Sequence, residues 1–411
     1  MLRFLFFLFF FSTFVSLSAQ TSGPGHGIIC TMRDTAVDAF TPPPAAFLNG
    51  TVEVKTQFEL VFSEEVPQEA RAAMRFAADV WGRYLDSGVP VRVNIDWQDR
   101  GNNRLLASAG PATLFRDFAG GTPNTWYPVA LAEAIAGRNL NATDDADINV
   151  NANSTANWYF GTDGNTPRNR IDLVSVMLHE LGHGLGFLAS VDTINDNQLS
   201  IGFGDRFIIY DLFLETESGV ALADMGMFSS SSEELLTAVT SNDLVFDGSR
   251  ANAENNNQEV PLFSPSAFDD GSSVSHLDEG SYRAGTENAL MTPFLAAGEA
   301  VHDPGPITLG IFADMGWPVD LTPVSVVNIS ARPLTVFPNP AADRVTVRLP
   351  KNSGARTLVL WSVQGQRIRE YDVAQAEGPV AVNLAGVAPG IYVAILEAEG
   401  VTYRNRLVVR R

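Results

Sequence analysis

The sequence predicts an α+β body followed by a small, separate all-β domain. Three observations carry this. Between residues 58 and 97, a short apolar run, a long stretch of helical period and an alternating stretch follow one another. A segment rich in Leu and Val, with helical spacing and three late glycines, spans residues 170–187. Beyond residue 333, short alternating runs recur with turn residues between them.

The chain has 411 residues, of which 45% are hydrophobic, enough for one large core and one smaller one. Its formal net charge of −20 argues against nucleic acid as a partner, because a binder neutralises phosphates with clustered Lys and Arg. The opening MLRFLFFLFFFSTFVSLSAQ places Arg3 before an apolar run and ends in small residues at Ala19, the pattern of a cleaved signal peptide over residues 1–19. The run from Phe4 to Phe11 is too short to span a bilayer, and no later segment offers about eighteen uninterrupted apolar residues, so no mature transmembrane segment is expected. A single cysteine, Cys30, precludes an intramolecular disulfide.

Taken in order, residues 20–57 are rich in Gly, Pro and Thr and read as a leader or pro-segment. FELVF (58–62) reads as a strand. In residues 63–88, Ala70, Met74, Ala77, Trp81 and Leu85 share one helical face, with acids near the start and Gly88 past the end. Val91, Val93, Ile95 and Trp97 then alternate with Arg92, Asn94 and Asp96, as in a half-buried strand, and DINVN (147–151) alternates likewise. WYFGTDGNTPRNR (158–170) is rich in turn residues; Asp163 and Asn165 are oxygen donors of the kind Ca²⁺ takes, although Asp-Gly-Asn is more often a plain turn. LTPVSVVNISARP (321–333) reads as a linker. VTVRL, TLVLW, GIYVAILEA and RLVVRR follow in residues 334–411, with turns at Gln364-Gly365 and Gly400, and suggest a small Ig-like β-sandwich with Trp361 and Tyr392 in its core.

HELGHGLGF (179–187) carries the chemistry. On a helix, residues i and i+4 stand one above the other, so His179 and His183 present two imidazoles to one point. Val174, Leu178, Leu181 and Leu185 form a separate apolar stripe that leaves the histidines facing a cleft. Glu180 lies beside them, within reach of a water on a metal. Zn²⁺ held by three protein groups brings such a water toward neutral pKa, and a neighbouring carboxylate can carry its proton to a leaving amine. A third ligand spaced compactly would fall at position 189, which is Ala189. His26, His276, His302, Glu215 and Asp278 are the other candidates. In SHLDEGSYRAGTENALMTPF (275–294), His276 precedes Met291 and Pro293, whereas His302 follows the methionine.

With the distant SHLDE and ALMTP, HELGHGLGF resembles the metzincin zinc peptidases, and among them the leishmanolysin-like branch, where a long insertion separates the helix from the third histidine. The resemblance covers about residues 58–320. It implies a twisted mixed sheet, an active-site helix and a C-terminal subdomain with a Met-turn, closed by a helix in GPITLGIFADMGW (305–317). It further implies His179, His183 and His276 as ligands of one Zn²⁺, Glu180 as general base, Met291 as the Met-turn residue, and a protein or peptide substrate. It makes DINVN the edge strand along which a peptide lies. Where several metzincins carry a tyrosine two residues beyond the methionine, this chain has Pro293; Tyr282 is a candidate substitute, although it reads more readily as an exposed loop tyrosine. Several metzincins also keep a pro-segment cysteine on the metal, which makes Cys30 in GHGIICTMRD either a latency ligand or a small buried residue. The competing readings are a non-catalytic, metal-stabilised surface or adhesion protein, and a zincin with a carboxylate such as Glu215 as third ligand.

LTVFPNPAADRVTV (334–347), LAGVAPGIYVAIL (384–396) and YRNRLVVRR (403–411) resemble the C-terminal sorting domain of the type IX secretion system of Bacteroidota. That resemblance implies a secretion-machinery partner and a secreted or cell-surface protein. Arg404, Arg406, Arg410 and Arg411, ending an acidic chain, agree with a tail read by separate machinery.

Overall fold

In the computed structural model, the described residues are 28–410 apart from 49, 103, 143, 196–197, 203–205, 225–232, 320–331, 350–356, 363–366, 374–377 and 399–400. The signal peptide, His26, nearly all of the expected linker, and the Gln364-Gly365 and Gly400 turns lie outside the described residues. Two compact units emerge. One comprises Val54–Val319 with the described residues up to Thr41; the other comprises Pro42–Glu53 with the described residues beyond Asp320.

The first unit is built on strands β1 (Ile28–Arg33), β2 (Ala39–Thr41), β3 (Phe58–Phe62), β4 (Val91–Gln98), β5 (Leu105–Pro111), β6 (Ile148–Asn153), β7 (Phe294–Ala296) and β8 (Glu299–Val301). Its principal helices are α1 (Gln68–Tyr84), α2 (Val129–Ala136), α3 (Leu173–Leu185) and α4 (Pro306–Met315). A six-stranded sheet runs in the order β7-β1-β5-β6-β4-β3. β3 pairs in parallel with β4 across the α1 crossover, as parallel neighbours require. Pro67 sets the start of α1, and extended Leu85 ends it short of the Gly88 expected as its stop. Ala70, Ala73, Ala77 and Ala78 on its buried face allow close approach, and the Trp81 indole donates to the Leu178 carbonyl of α3 at 2.9 Å.

Three expectations change here. DINVN is not an edge: β6 lies between parallel β4 and antiparallel β5, so both rows of its backbone groups are paired. The residues expected as an extended leader contribute β1 and β2 to the first unit. Segment 28–41 runs alongside residues 293–302, with Thr31 opposite Phe294, Ala39 opposite Glu299 and the His302 amide donating to the Thr41 carbonyl at 2.8 Å. Lastly, α3 has no open face. Every residue from Leu173 to Leu185 is buried, so the histidine side, expected to front a cleft, is covered as completely as the apolar stripe.

In the second unit, one five-stranded sheet is ordered Arg332–Pro333, Val401–Val409, Gly390–Ala398, Thr357–Ser362, Arg367–Asp372. A three-stranded sheet joins Thr335–Phe337, Arg344–Arg348 and Pro379–Asn383. Val345, Val347, Leu358, Leu360, Tyr392 and Leu407 belong to one apolar core. Tyr392 is in that core as expected, while Trp361 is only half-buried.

Candidate metal centre

Helix α3 is held at both ends by side chains the site needs in register. At its start Asp172 caps the helix, accepting from the Ser175 amide at 2.8 Å and the Ser175 hydroxyl at 2.7 Å. The same carboxylate accepts from His302 Nε2 at 2.8 Å and from the Thr166 hydroxyl at 2.8 Å. His302 therefore serves the helix N-terminus. At the other end Gly186 adopts φ 130°, a conformation open to glycine, and the Phe187 amide turns back to the Gly182 carbonyl at 3.0 Å. That turn presents the Phe187 carbonyl to His183 Nδ1 at 2.7 Å.

His179 and His183 project from α3 toward His276, which the chain supplies after its long excursion. The excursion returns to where it began: the Ala189 amide donates to the Ser275 hydroxyl at 3.0 Å, beside His276. The Leu277 amide donates to the Met291 carbonyl at 2.8 Å, joining the two halves of the 275–294 segment. Met291 is fully buried against α3, where a Cβ on Gly182 would sit 2.8 Å from its sulfur. Gly184 has a parallel reason, since a Cβ there would overlap the Ile148 side chain of β6.

The three Nε2 atoms form a triangle with sides of 2.9, 3.2 and 3.2 Å. Each Nδ1 meets a backbone carbonyl at 2.7 Å: Leu290 for His179, Phe187 for His183 and Ser272 for His276. A carbonyl only accepts, so each Nδ1 carries the ring proton and each Nε2 of a neutral ring presents a lone pair. Burial keeps the rings neutral, lowering His179 to about 4 and His183 and His276 well below the usual imidazole value. Three lone pairs thus face one another across hydrogen-bond distances with no proton among them. A cation resolves that repulsion, and tetrahedral Zn²⁺ with Zn–N of about 2.05 Å separates its nitrogen ligands by about 3.3 Å. The donor set and spacing fit zinc, and the carbonyls supply the outer hydrogen bonds that orient metal-binding histidines.

Glu180 is fully buried, and burial raises its carboxyl well above the ordinary range. The Cys30 backbone N–H approaches it and offsets part of that rise, at a geometry too loose to satisfy either oxygen. The Cys30 thiol groups with His179 and Glu180 rather than with all three histidines, and burial followed by the Glu180 and Glu299 charges pushes it well up. Neither Glu215 nor Asp278 joins a metal-capable group among the described residues. Both Asp163 oxygens accept hydrogen bonds within their own turn, from the Tyr159 hydroxyl at 2.6 Å and the Asn165 side-chain amide at 2.8 Å, which is the plain-turn arrangement. Tyr282, expected at the surface, is 8% exposed. Sequence reasoning passed over Asp172, although an Asp before an apolar helix is a recognisable cap. The carbonyls that orient the rings carry no residue-type signal.

Residues 125–203, which include HELGHGLGF, match a protein family described as SPBPB7E8-like. Residues 335–410 match the family described as Secretion system C-terminal sorting domain. The second unit therefore carries a sorting domain, which makes the protein one that is exported, to the cell surface or beyond, with the secretion machinery as a partner. No helix among the described residues is long and apolar enough to cross a membrane. A protein of Schizosaccharomyces pombe, "Uncharacterized protein PB7E8.01", is 37% identical over 62 residues, which are 15% of this chain and 11% of that protein. Among solved structures, the sulfur carrier protein SoxY from Chlorobium limicola f thiosulfatophilum aligns over 19% of this chain and 72% of its own at 17% identity, with a TM-score of 0.15. A likeness that slight carries no argument about fold.

Proposed function

We propose that this exported protein is a zinc-dependent endopeptidase of metzincin type. One observation carries the reading: three buried, neutral imidazoles aim unprotonated Nε2 atoms at a common point beside the buried Glu180 carboxyl group. His179, His183 and His276 would hold the ion, with Met291 packed against the helix that bears two of them. Zinc supplies Lewis acidity toward a carbonyl oxygen and toward water. Glu180, ionised once solvent reaches it, takes the proton of the attacking water and returns it to the amine nitrogen as the C–N bond breaks.

The test is zinc content and casein cleavage, measured before and after proteolytic nicking at the exposed Asp34–Thr35 bend. Glu180→Ala should keep zinc and lose activity by about 10²–10⁴-fold. His276→Ala should lose both zinc and activity, and His302→Ala should keep its zinc. Full zinc and cleavage in His276→Ala would refute the ligand set.

A second reading, metal held for stability alone, is favoured by the burial of the whole site: His179 is 3% exposed and Glu180, His183 and His276 are 0%. Under that reading neither nicking nor Glu180→Ala has any catalytic consequence.

A further inference from the structure

We propose that Tyr210 is a positioning residue for the candidate metal centre: its hydroxyl holds the backbone turn at Val274 that delivers His276, and its ring braces the residue whose carbonyl orients His183. The proposal rests on the metal reading of the three histidines and names the residue of the long excursion that keeps two of them in place.

The turn before His276 needs holding. Val274 has φ 71°, a left-handed conformation that brings Cβ against the following carbonyl oxygen and is rarest for β-branched residues. Every other non-glycine residue with positive φ among the described residues is Asp or Asn, types that tolerate it. The reversal at Val274 lets the chain fold back on itself, so that His276 Nδ1 donates to the Ser272 carbonyl, four residues earlier, at 2.7 Å. Were Val274 to relax into the extended region, that carbonyl would leave the ring and Nε2 would lose its aim. A conformation this unfavourable persists only where its surroundings impose it. The Val274 side chain is fully buried, its amide donates to the Phe263 carbonyl at 2.8 Å, and its carbonyl accepts from the Tyr210 hydroxyl at 3.2 Å.

Tyr210 is suited to that task. It lies in the short 3₁₀ helix Ile209–Phe213 and is fully buried, so its hydroxyl would be left unsatisfied if the Val274 carbonyl moved away. Its neighbour Asp211 accepts from the Ser190 amide at 2.9 Å and the Ile208 amide at 3.0 Å, which ties this helix to the chain just beyond α3. The Tyr210 ring packs against Phe187, with centroids 5.3 Å apart, and against Phe246 at 5.4 Å. Phe187 is the residue whose carbonyl accepts from His183 Nδ1. One side chain from the excursion thus supports the outer hydrogen bonds of two candidate ligands, while His179 is oriented separately by Leu290.

The experiment uses the full chain with Tyr210→Phe, which keeps the ring and removes only the hydroxyl. Zinc affinity, measured by competition with a chromogenic chelator, should fall about tenfold for the lost hydrogen bond. In metal-free protein labelled with ¹⁵N-histidine, the Nδ1 proton of His276 should exchange with solvent faster in Tyr210→Phe than in wild type, and that of His179 at an unchanged rate. Val274→Gly supplies a second comparison, because glycine adopts φ 71° without strain. In that background Tyr210→Phe should weaken zinc binding by less than about threefold, whereas a merely structural tyrosine would cost the same in both backgrounds. The exchange comparison does not need the second variant. Unchanged zinc affinity, unchanged His276 exchange or an equal loss in the two backgrounds would overturn the proposal. Wild-type protein that binds no zinc would instead sink the metal reading, and the exchange rates would still decide whether Tyr210 holds His276.

Discussion

At Gly182 a hydrogen in place of a methyl group decides how closely Met291 approaches α3. A Cβ there would meet the Met291 sulfur at 2.8 Å, so Gly182→Ala should cost about 1–3 kcal/mol by overpacking, read as a lower unfolding midpoint. Adding Met291→Ala should recover part of that loss, because the two residues share the contact. Asp211 sets a different residue-scale test. Burial pushes its carboxyl up to about 6, although hydrogen bonds from Ser190 and the Ile208 amide oppose the rise. Between about pH 4 and 6 the folded state holds a proton that the unfolded state has lost, so this group's contribution is full in acid and falls as pH rises. Asp303, raised to about 6 by burial, acts in the same direction. Asp211→Asn should flatten the decline of unfolding free energy across that window; an unchanged slope would show that the group does not titrate there.

Elements differ in how far their sequence announces them. α1 and α3 were legible because a buried helical face repeats every three or four residues, and Gly186 marked the end of α3. β5 was not: LLASAGP has neither alternation nor β-branched residues, and it is buried among neighbours on both sides. β1 was hidden for a related reason, since a strand specified by backbone pairing leaves little trace in side-chain pattern. The cap of α3 carries its own prediction. Asp172→Ala removes an N-cap worth about 1–2 kcal/mol and leaves His302 Nε2 buried without its acceptor, so the loss in unfolding free energy should exceed that of the cap alone. Ser175→Ala, which removes one hydroxyl from the same network, should cost less.

For the whole molecule, the candidate metal site lies within one unit and the sorting domain within the other, so their responses should separate. Removing zinc with a chelator should lower the unfolding midpoint of the first unit, since an ion at about 100 times its Kd contributes about 2.7 kcal/mol, and should leave the second unit's transition in place. A single shared shift would contradict that division. By itself the sequence determined the helix that carries the paired histidines, the candidates for a third histidine and the export tail, because spacing along one helix and a run of short strands are local properties. Tertiary structure decided which distant histidine meets the pair, the tautomer of each ring and the burial of Glu180. It also turned an expected leader into a strand of the sheet and moved the supposed edge strand inside. Those outcomes rest on backbone carbonyls and amides, some of them four residues from the ring they orient and others far along the chain, and every residue type carries the same backbone, so no pattern of side chains could announce them.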